Sequence, residues 1–159
     1  MAYFEWLDDL VIDQGPIDKD HHRLVDLVNL LHAAALQNSD PIAVRELMAE
    51  LIFDTQDHLL REEELMLAVN FPDLAEHKQS HLAVMARLQE LQRDYHDASS
   101  GSALRLAELL RDWLAHHIRE ADKELRDHLR NSAGTQAVGF VAADDVIDEQ
   151  ALARMFPTD

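Results

Sequence analysis

Cysteine is missing altogether from this chain of 159 residues. That single absence removes disulfides, thiolate zinc sites, iron–sulfur clusters and a cysteine nucleophile. Glycine and proline are scarce, four of each, and nothing alternates apolar with polar residues for long, so a strand-and-turn architecture has little to be built from. No apolar run reaches membrane-spanning length. The first ten residues carry Glu5, Asp8 and Asp9 where a leader would be basic and then apolar. Positive charge is also in short supply: 14 basic against 31 acidic residues leave a net charge of −17. Such a field repels nucleic acid and anionic membrane surfaces. The expectation is a cytoplasmic protein with no nucleic-acid partner and no membrane partner. What the chain has in excess is histidine, ten in all.

The apolar residues repeat with a helical period. A first helix is expected from about Asp18 to Gln37, ended by the polar cluster NSDP. Asp40 reads as an N-cap with Pro41 at the first helical position, opening a second helix to about Ala68. VNFPD breaks the chain, and Pro72 opens a third helix to about His96. DASSGS follows as a loop, and a fourth helix runs from about Ala103 to Arg130. Four long helices on short loops imply antiparallel neighbours, hence an all-α, up-down-up-down four-helix bundle. An N-terminal arm with Phe4, Trp6 and Leu7 precedes it and is expected to pack along the helices. The domain expectation is a bundle with its arm over 1–130 and an extension over 131–159. That extension reads as a linker, NSAGTQAVGFVAA, followed by a short amphipathic pattern (Ile147, Ala151, Met155). Residues 144–156 are thus a candidate docking segment for a protein partner.

The histidines sort by face. Three, four and seven residues beyond His21 stand Leu24, Val25 and Val28, so His21 faces the core and His22 the solvent. His58 lies in line with Leu51, Thr55 and Glu62; His77 and His81 lie in line with Leu74, Val84 and Leu88. His117 shares a face with Leu110, Trp113, Leu114 and Ala121, whereas His116 keeps company with Asp112, Arg119 and Glu120 on a charged face. His32, His96 and His128 read as surface or helix-end residues, and Glu63 and Glu64 as a solvated face. Under alternating topology His21, His58, Glu62, His77, His81 and His117 fall at one end of the bundle. Five buried imidazoles have too few acceptors among themselves, and metal ions resolve that conflict. No ExxH occurs, which argues against the paired Glu-x-x-His sites of carboxylate-rich di-iron oxidases.

Written out, IDKDHHRL, HLLREEELM, FPDLAEHKQSH and WLAHHIREAD resemble the hemerythrin family, specifically its bacterial single-domain members, over about residues 4 to 130. The resemblance implies two iron ions in a non-haem di-iron centre with carboxylate and oxo or hydroxo bridges. It implies that His77, His81 and His117 hold one iron, that His21 and His58 hold the other, and that Glu62 and Asp122 bridge them. Helical geometry supports Asp122 least: five residues from His117 is about 140° round an ideal helix. Either the metals' separation or a local π turn must bring it into reach, and Glu120 and Glu124 compete with it. Asp20 stands where the family often has glutamine. The implied ligand is dioxygen, bound reversibly for storage, delivery or sensing, with Trp113, Leu114 and Ile118 as an apolar wall round its pocket. The competing readings are a di-iron peroxidase or oxidase on the same ligands, and an oxygen-responsive signalling module acting through the tail.

Overall fold

The structure is a computed structural model that describes residues 2–94 and 100–138. Five helices and one π turn form four rods: α1 (Pro16–Leu36), α2 (Pro41–Ala68), α3 (Leu74–Arg93), and α4 (Ser100–His117), which continues through the π turn Ile118–Asp122 into α5 (Lys123–Val138). No strand occurs among the described residues. α1 packs against α2 and α4, and α3 against the same two, which closes an up-down-up-down bundle. By chain contacts, residues 1–129 form one compact unit and 130–159 another; every residue of the site described below lies in the first. Among the described residues no helix is long and apolar enough to cross a membrane.

The starts and stops of the rods follow from particular residues. Oδ1 of Asp40 accepts the backbone N–H of Ile42 at 3.1 Å, and Pro41 takes the first helical position, as the sequence predicts. α1 and α2 end in the same way. Asn38 (φ 50°) and Asn70 (φ 51°) adopt the left-handed conformation one residue past the cap. The next N–H then reaches back to the orphan carbonyl of the last turn: Ser39 N–H to Ala34 O at 3.1 Å, and Phe71 N–H to Met66 O at 2.9 Å. Asparagine tolerates that conformation better than other residues with a side chain, so neither turn needs glycine.

At the start of α1, Asp13 accepts the N–H groups of Gly15, Ile17 and Asp18, while buried Asp18 accepts those of Ile12 and Gln14. These contacts fix the entry of the chain one turn before His21. The arm is anchored by a reciprocal pair, Phe4 N–H to Asn29 Oδ1 at 2.7 Å and Asn29 Nδ2 to Phe4 O at 2.9 Å. Phe4 is buried and Trp6 lies against the His22 ring, but Leu7 is exposed rather than packed along the helices.

Several boundaries differ from the sequence pattern. Asp73, not Pro72, precedes the third helix, and Ser100–Ser102, expected in a loop, already belong to α4. The fourth rod also runs beyond Arg130 to Val138, through residues expected to form the linker. There Ala133 and Ala137 favour helix, and a lone Gly134 weakens it by only about 1 kcal/mol. α3 ends at Arg93, with Asp94 as its C-cap, before the end expected near His96; His96 itself and the segment 144–156 lie outside the described residues.

The core is a column of aliphatic side chains from every rod, including Leu24, Val28, Leu31, Met48, Leu51, Leu88, Leu106 and Leu114, each almost fully buried. Each such side chain is worth about 1.5–3 kcal/mol relative to exposure. At one end the column gives way to polar residues that are just as buried.

Candidate metal centre

His21, His58, Glu62, His77, His81, His117 and Asp122 are all buried, none more than 4% exposed. Alternation of the rods brings the start of α1, the end of α2, the start of α3 and the end of α4 to one level. The seven side chains fall into two groups. Nε2 of His117 lies 2.9 Å from Nε2 of His77 and 3.1 Å from Nε2 of His81. Nε2 of His21 lies 3.0 Å from Nε2 of His58.

The two carboxylates span the groups, one oxygen to each side. Oε1 of Glu62 stands 2.7 Å from His77 Nε2 and 3.2 Å from His81 Nε2, while its Oε2 stands 3.3 Å from His58 Nε2 and 3.9 Å from His21 Nε2. Oδ1 of Asp122 is 3.1 Å from both His77 Nε2 and His117 Nε2, and its Oδ2 is 3.3 Å from His21 Nε2. Asp122 gets there because the chain makes one π turn over Ile118–Asp122, which absorbs the extra residue in the five-residue spacing from His117. Glu120 and Glu124 are exposed and belong to the outer face.

Hydrogen bonds alone do not satisfy this cluster. His21 Nδ1, Glu62 Oε2 and both oxygens of Asp122 are buried and make no hydrogen bond. Nε2 of His117 faces the Nε2 atoms of both His77 and His81 and cannot pair with both, since each ring nitrogen of a neutral imidazole is either a donor or an acceptor. Orphaned buried carboxylate oxygens beside converging imidazoles are what a cation would complete. Two overlapping sets place ligand atoms within 4.8 Å of one another: Glu62, His77, His81 and His117, and His21, His58 and Glu62. The residues present therefore fit a pair of ions sharing Glu62.

The electrostatics agree. Burial works against the charged form of His58, yet the neighbouring carboxylates of Asp20 and Glu62 outweigh burial and push its pKa up to about 9. At His77 burial again opposes the charge, and Asp122 and Glu62 overcome it, again to about 9. His117 is raised by the same two carboxylates against burial. Burial pushes the Glu62 carboxyl upward, but the surrounding imidazoles of His117, His58, His77 and His81 hold it well below its usual range. Asp122 is lowered likewise: burial and the Glu62 charge raise it, and His117, His21 and His77 prevail. Two carboxylates thus draw in positive charge, which either protons or metal ions can supply.

The outer nitrogens of three imidazoles are also held. His58 Nδ1 lies 3.2 Å from Asp20 Oδ2, His81 Nδ1 lies 3.0 Å from Glu63 Oε1, and His117 Nδ1 lies 3.0 Å from Ser80 Oγ. A partner on Nδ1 fixes the tautomer that leaves Nε2 free to ligate. Glu63 is therefore not part of a solvated face, as its EEE run suggests; it turns inward to His81, while Glu64 is exposed. Helical spacing singles out ligands because they share a stripe. Asp20, Glu63 and Ser80 lie beside the stripe, and only the register between neighbouring rods reveals what they touch.

The other described histidines stand apart from the cluster. His22 and His116 are exposed, as expected. His32 is half-buried with its ring stacked on Tyr3 at 3.6 Å. His128 is half-buried and donates from Nε2 to the carbonyl of Val69 at 2.9 Å, so it serves the C-terminus of α2 rather than its own helix. Leu114 and Ile118 are buried, one turn before and one residue after His117, and Trp113 is half-buried with its ring stacked on His117 at 4.4 Å.

A four-helix bundle carrying five imidazoles and two shared carboxylates at one end is a binuclear metal protein. Residues 15–129 match the hemerythrin HHE cation binding domain. The chain is 33% identical over 130 residues to a bacteriohemerythrin of Stenotrophomonas maltophilia (strain R551-3), covering 82% of this chain and 84% of that one. It is 26% identical over 126 residues to a myohemerythrin of Riftia pachyptila, covering 79% and 93%. A solved hemerythrin, a leucine-to-alanine mutant, superimposes with a TM-score of 0.69 at 27% identity, covering 81% of this chain and 98% of that one. The chain belongs to the hemerythrin family, oxygen-binding proteins built round a non-haem di-iron centre.

Proposed function

We propose that this chain binds dioxygen reversibly at two iron ions, one held by His77, His81 and His117, the other by His21 and His58, with Glu62 and Asp122 bridging. The observation that carries the reading is the division of each carboxylate, one oxygen to the three-imidazole group and one to the two-imidazole group. When bound, the iron pair supplies the electrons and the less crowded coordination position that reversible dioxygen binding requires. The chain's own residues do the rest. Asp20, Glu63 and Ser80 hold three imidazoles in the ligating tautomer. Trp113, Leu114 and Ile118 form an apolar wall that keeps water and protons from the dioxygen pocket, which favours release of oxygen over its reduction.

The working unit on this reading is 1–130, with 131–159 as an extension. Storage or delivery in the cytoplasm suits a cysteine-free chain of strong negative charge. Stopped-flow spectroscopy of the reduced, iron-loaded protein mixed with oxygen tests the proposal. Absorbance that rises with oxygen and reverses on its removal supports it; direct conversion to a ferric product with no recoverable oxygen refutes it.

A further inference from the structure

Behind the ligands lies a pattern that pairs the two halves of the centre. His58, from the two-imidazole group, has Asp20 on its outer nitrogen; His81, from the three-imidazole group, has Glu63. His117 has a neutral hydroxyl there, from Ser80, and His21 Nδ1 makes no hydrogen bond at all. Each outer carboxylate also contacts a cation. Asp20 Oδ2 also accepts from Arg61 Nε at 3.0 Å, and Glu63 Oε2 lies 3.5 Å from Lys78 Nζ. Arg61 is in turn paired with Asp57.

We propose that Asp20 and Glu63 are positioning residues that tune the two irons separately, each acting through one ligand histidine and each moderated by its outer cation, Arg61 or Lys78. The inference rests on the ligand reading above. A carboxylate on an imidazole N–H draws the proton outward and makes the ring a stronger donor to its metal, which favours the ferric over the ferrous ion. The cation on the same carboxylate pulls the other way by taking up part of its charge. Arg61 shares the very oxygen that faces His58, so its effect is direct; Lys78 acts through the second oxygen of Glu63 and is half-exposed, which weakens it. Both carboxylates are partly buried, so their charges are less screened than those of surface residues.

The two roles make opposite predictions, which a merely structural role does not. Asp20→Asn and Glu63→Gln keep shape and an accepting oxygen but remove the charge. Arg61→Gln removes the moderating cation and leaves Asp20 in place. Spectroelectrochemical titration of the iron-loaded protein is expected to show a higher midpoint potential for Asp20→Asn and for Glu63→Gln. The ferric-to-ferrous ratio at fixed potential should fall about tenfold in each. Arg61→Gln should shift it the opposite way. Unchanged potentials in the two carboxylate variants, or an Arg61→Gln shift in the same direction as Asp20→Asn, overturn the proposal.

Iron content of the unaltered chain is measured alongside. A chain that holds no iron pair refutes the ligand reading itself and is recognised before any variant is compared. If a variant loses its iron, the zinc-loaded protein gives the answer by proton NMR: the His58 Nδ1–H resonance should move upfield in Asp20→Asn, and an unmoved resonance overturns the proposal.

Discussion

Oδ1 of Asp122 lies 3.1 Å from Nε2 of His117, although five residues separate them and a regular α-helix would turn the two side chains about 140° apart. The π turn at Ile118–Asp122 removes that mismatch and leaves Asp122 fully buried. Such turns are rare and concentrate at functional sites. Here the irregularity falls where a regular helix would point the carboxylate away from the cluster. Asp122→Ala is therefore expected to lower iron content well below that of the parent chain, because both groups of imidazoles lose a shared oxygen. Glu120→Ala, on the exposed face, should leave it unchanged. Metal analysis of the two purified variants checks this.

The metal-free protein should show an unusual pH dependence. His58 and His77 have pKa values raised from 6.5 to about 9 when folded, by Asp20 and Glu62 at the first and by Asp122 and Glu62 at the second, against burial. A raised folded pKa gives stability that is complete below about 6.5 and is lost as pH rises through about 9. Asp122 and Glu62, lowered on folding, give stability that is present above their usual carboxylate range and lost in acid. Thermal melts of chelator-stripped protein should thus peak between about pH 5 and 6.5 and fall towards pH 9. The iron-loaded protein should stay nearly flat over the alkaline part of that window, since metal has replaced the protons.

Metal removal should cost stability without abolishing the fold. The aliphatic column from Leu31 to Leu106 is buried outside the cluster and should persist without iron. Ligation of the folded form alone contributes about 4 kcal/mol once free metal exceeds its dissociation constant a thousandfold. Calorimetry before and after chelation should show a clear drop in melting temperature with helical circular dichroism preserved below it.

The proposed apolar wall makes a separate prediction. Leu114 and Ile118 are at most 2% exposed. Leu114→Ala should destabilise the protein by about 2–5 kcal/mol through the cavity it leaves. By admitting water beside the centre it should also speed irreversible oxidation in air. Conversion to the ferric form followed over time by absorbance measures this; an unchanged rate would show that Leu114 supports the core alone.

Much of this arrangement was legible in the chain itself, and the reasons are local. Asp40–Pro41 announces a helix start because one residue caps and the other pre-sets the backbone. The five inward histidines declare themselves because each shares a stripe with buried aliphatics at three- and four-residue spacing. The period fails at Asp122, where a π turn changes the local count, and only the family resemblance singled that residue out. It fails too at Ser100–Ser102, whose polar composition reads as loop although Ser102 is buried within α4. Glu63 reads as solvated in the sequence because its contact with His81 depends on how α2 and α3 are set against each other, which no pattern within a single helix encodes.

The most direct test of the central claim is iron stoichiometry combined with exposure to oxygen. Protein reconstituted with ferrous iron under argon should hold two iron atoms per 159-residue chain and show an absorbance band that appears with oxygen and disappears when argon is restored, over repeated cycles. A chain that binds a single iron, or whose spectrum ignores oxygen, would contradict the account.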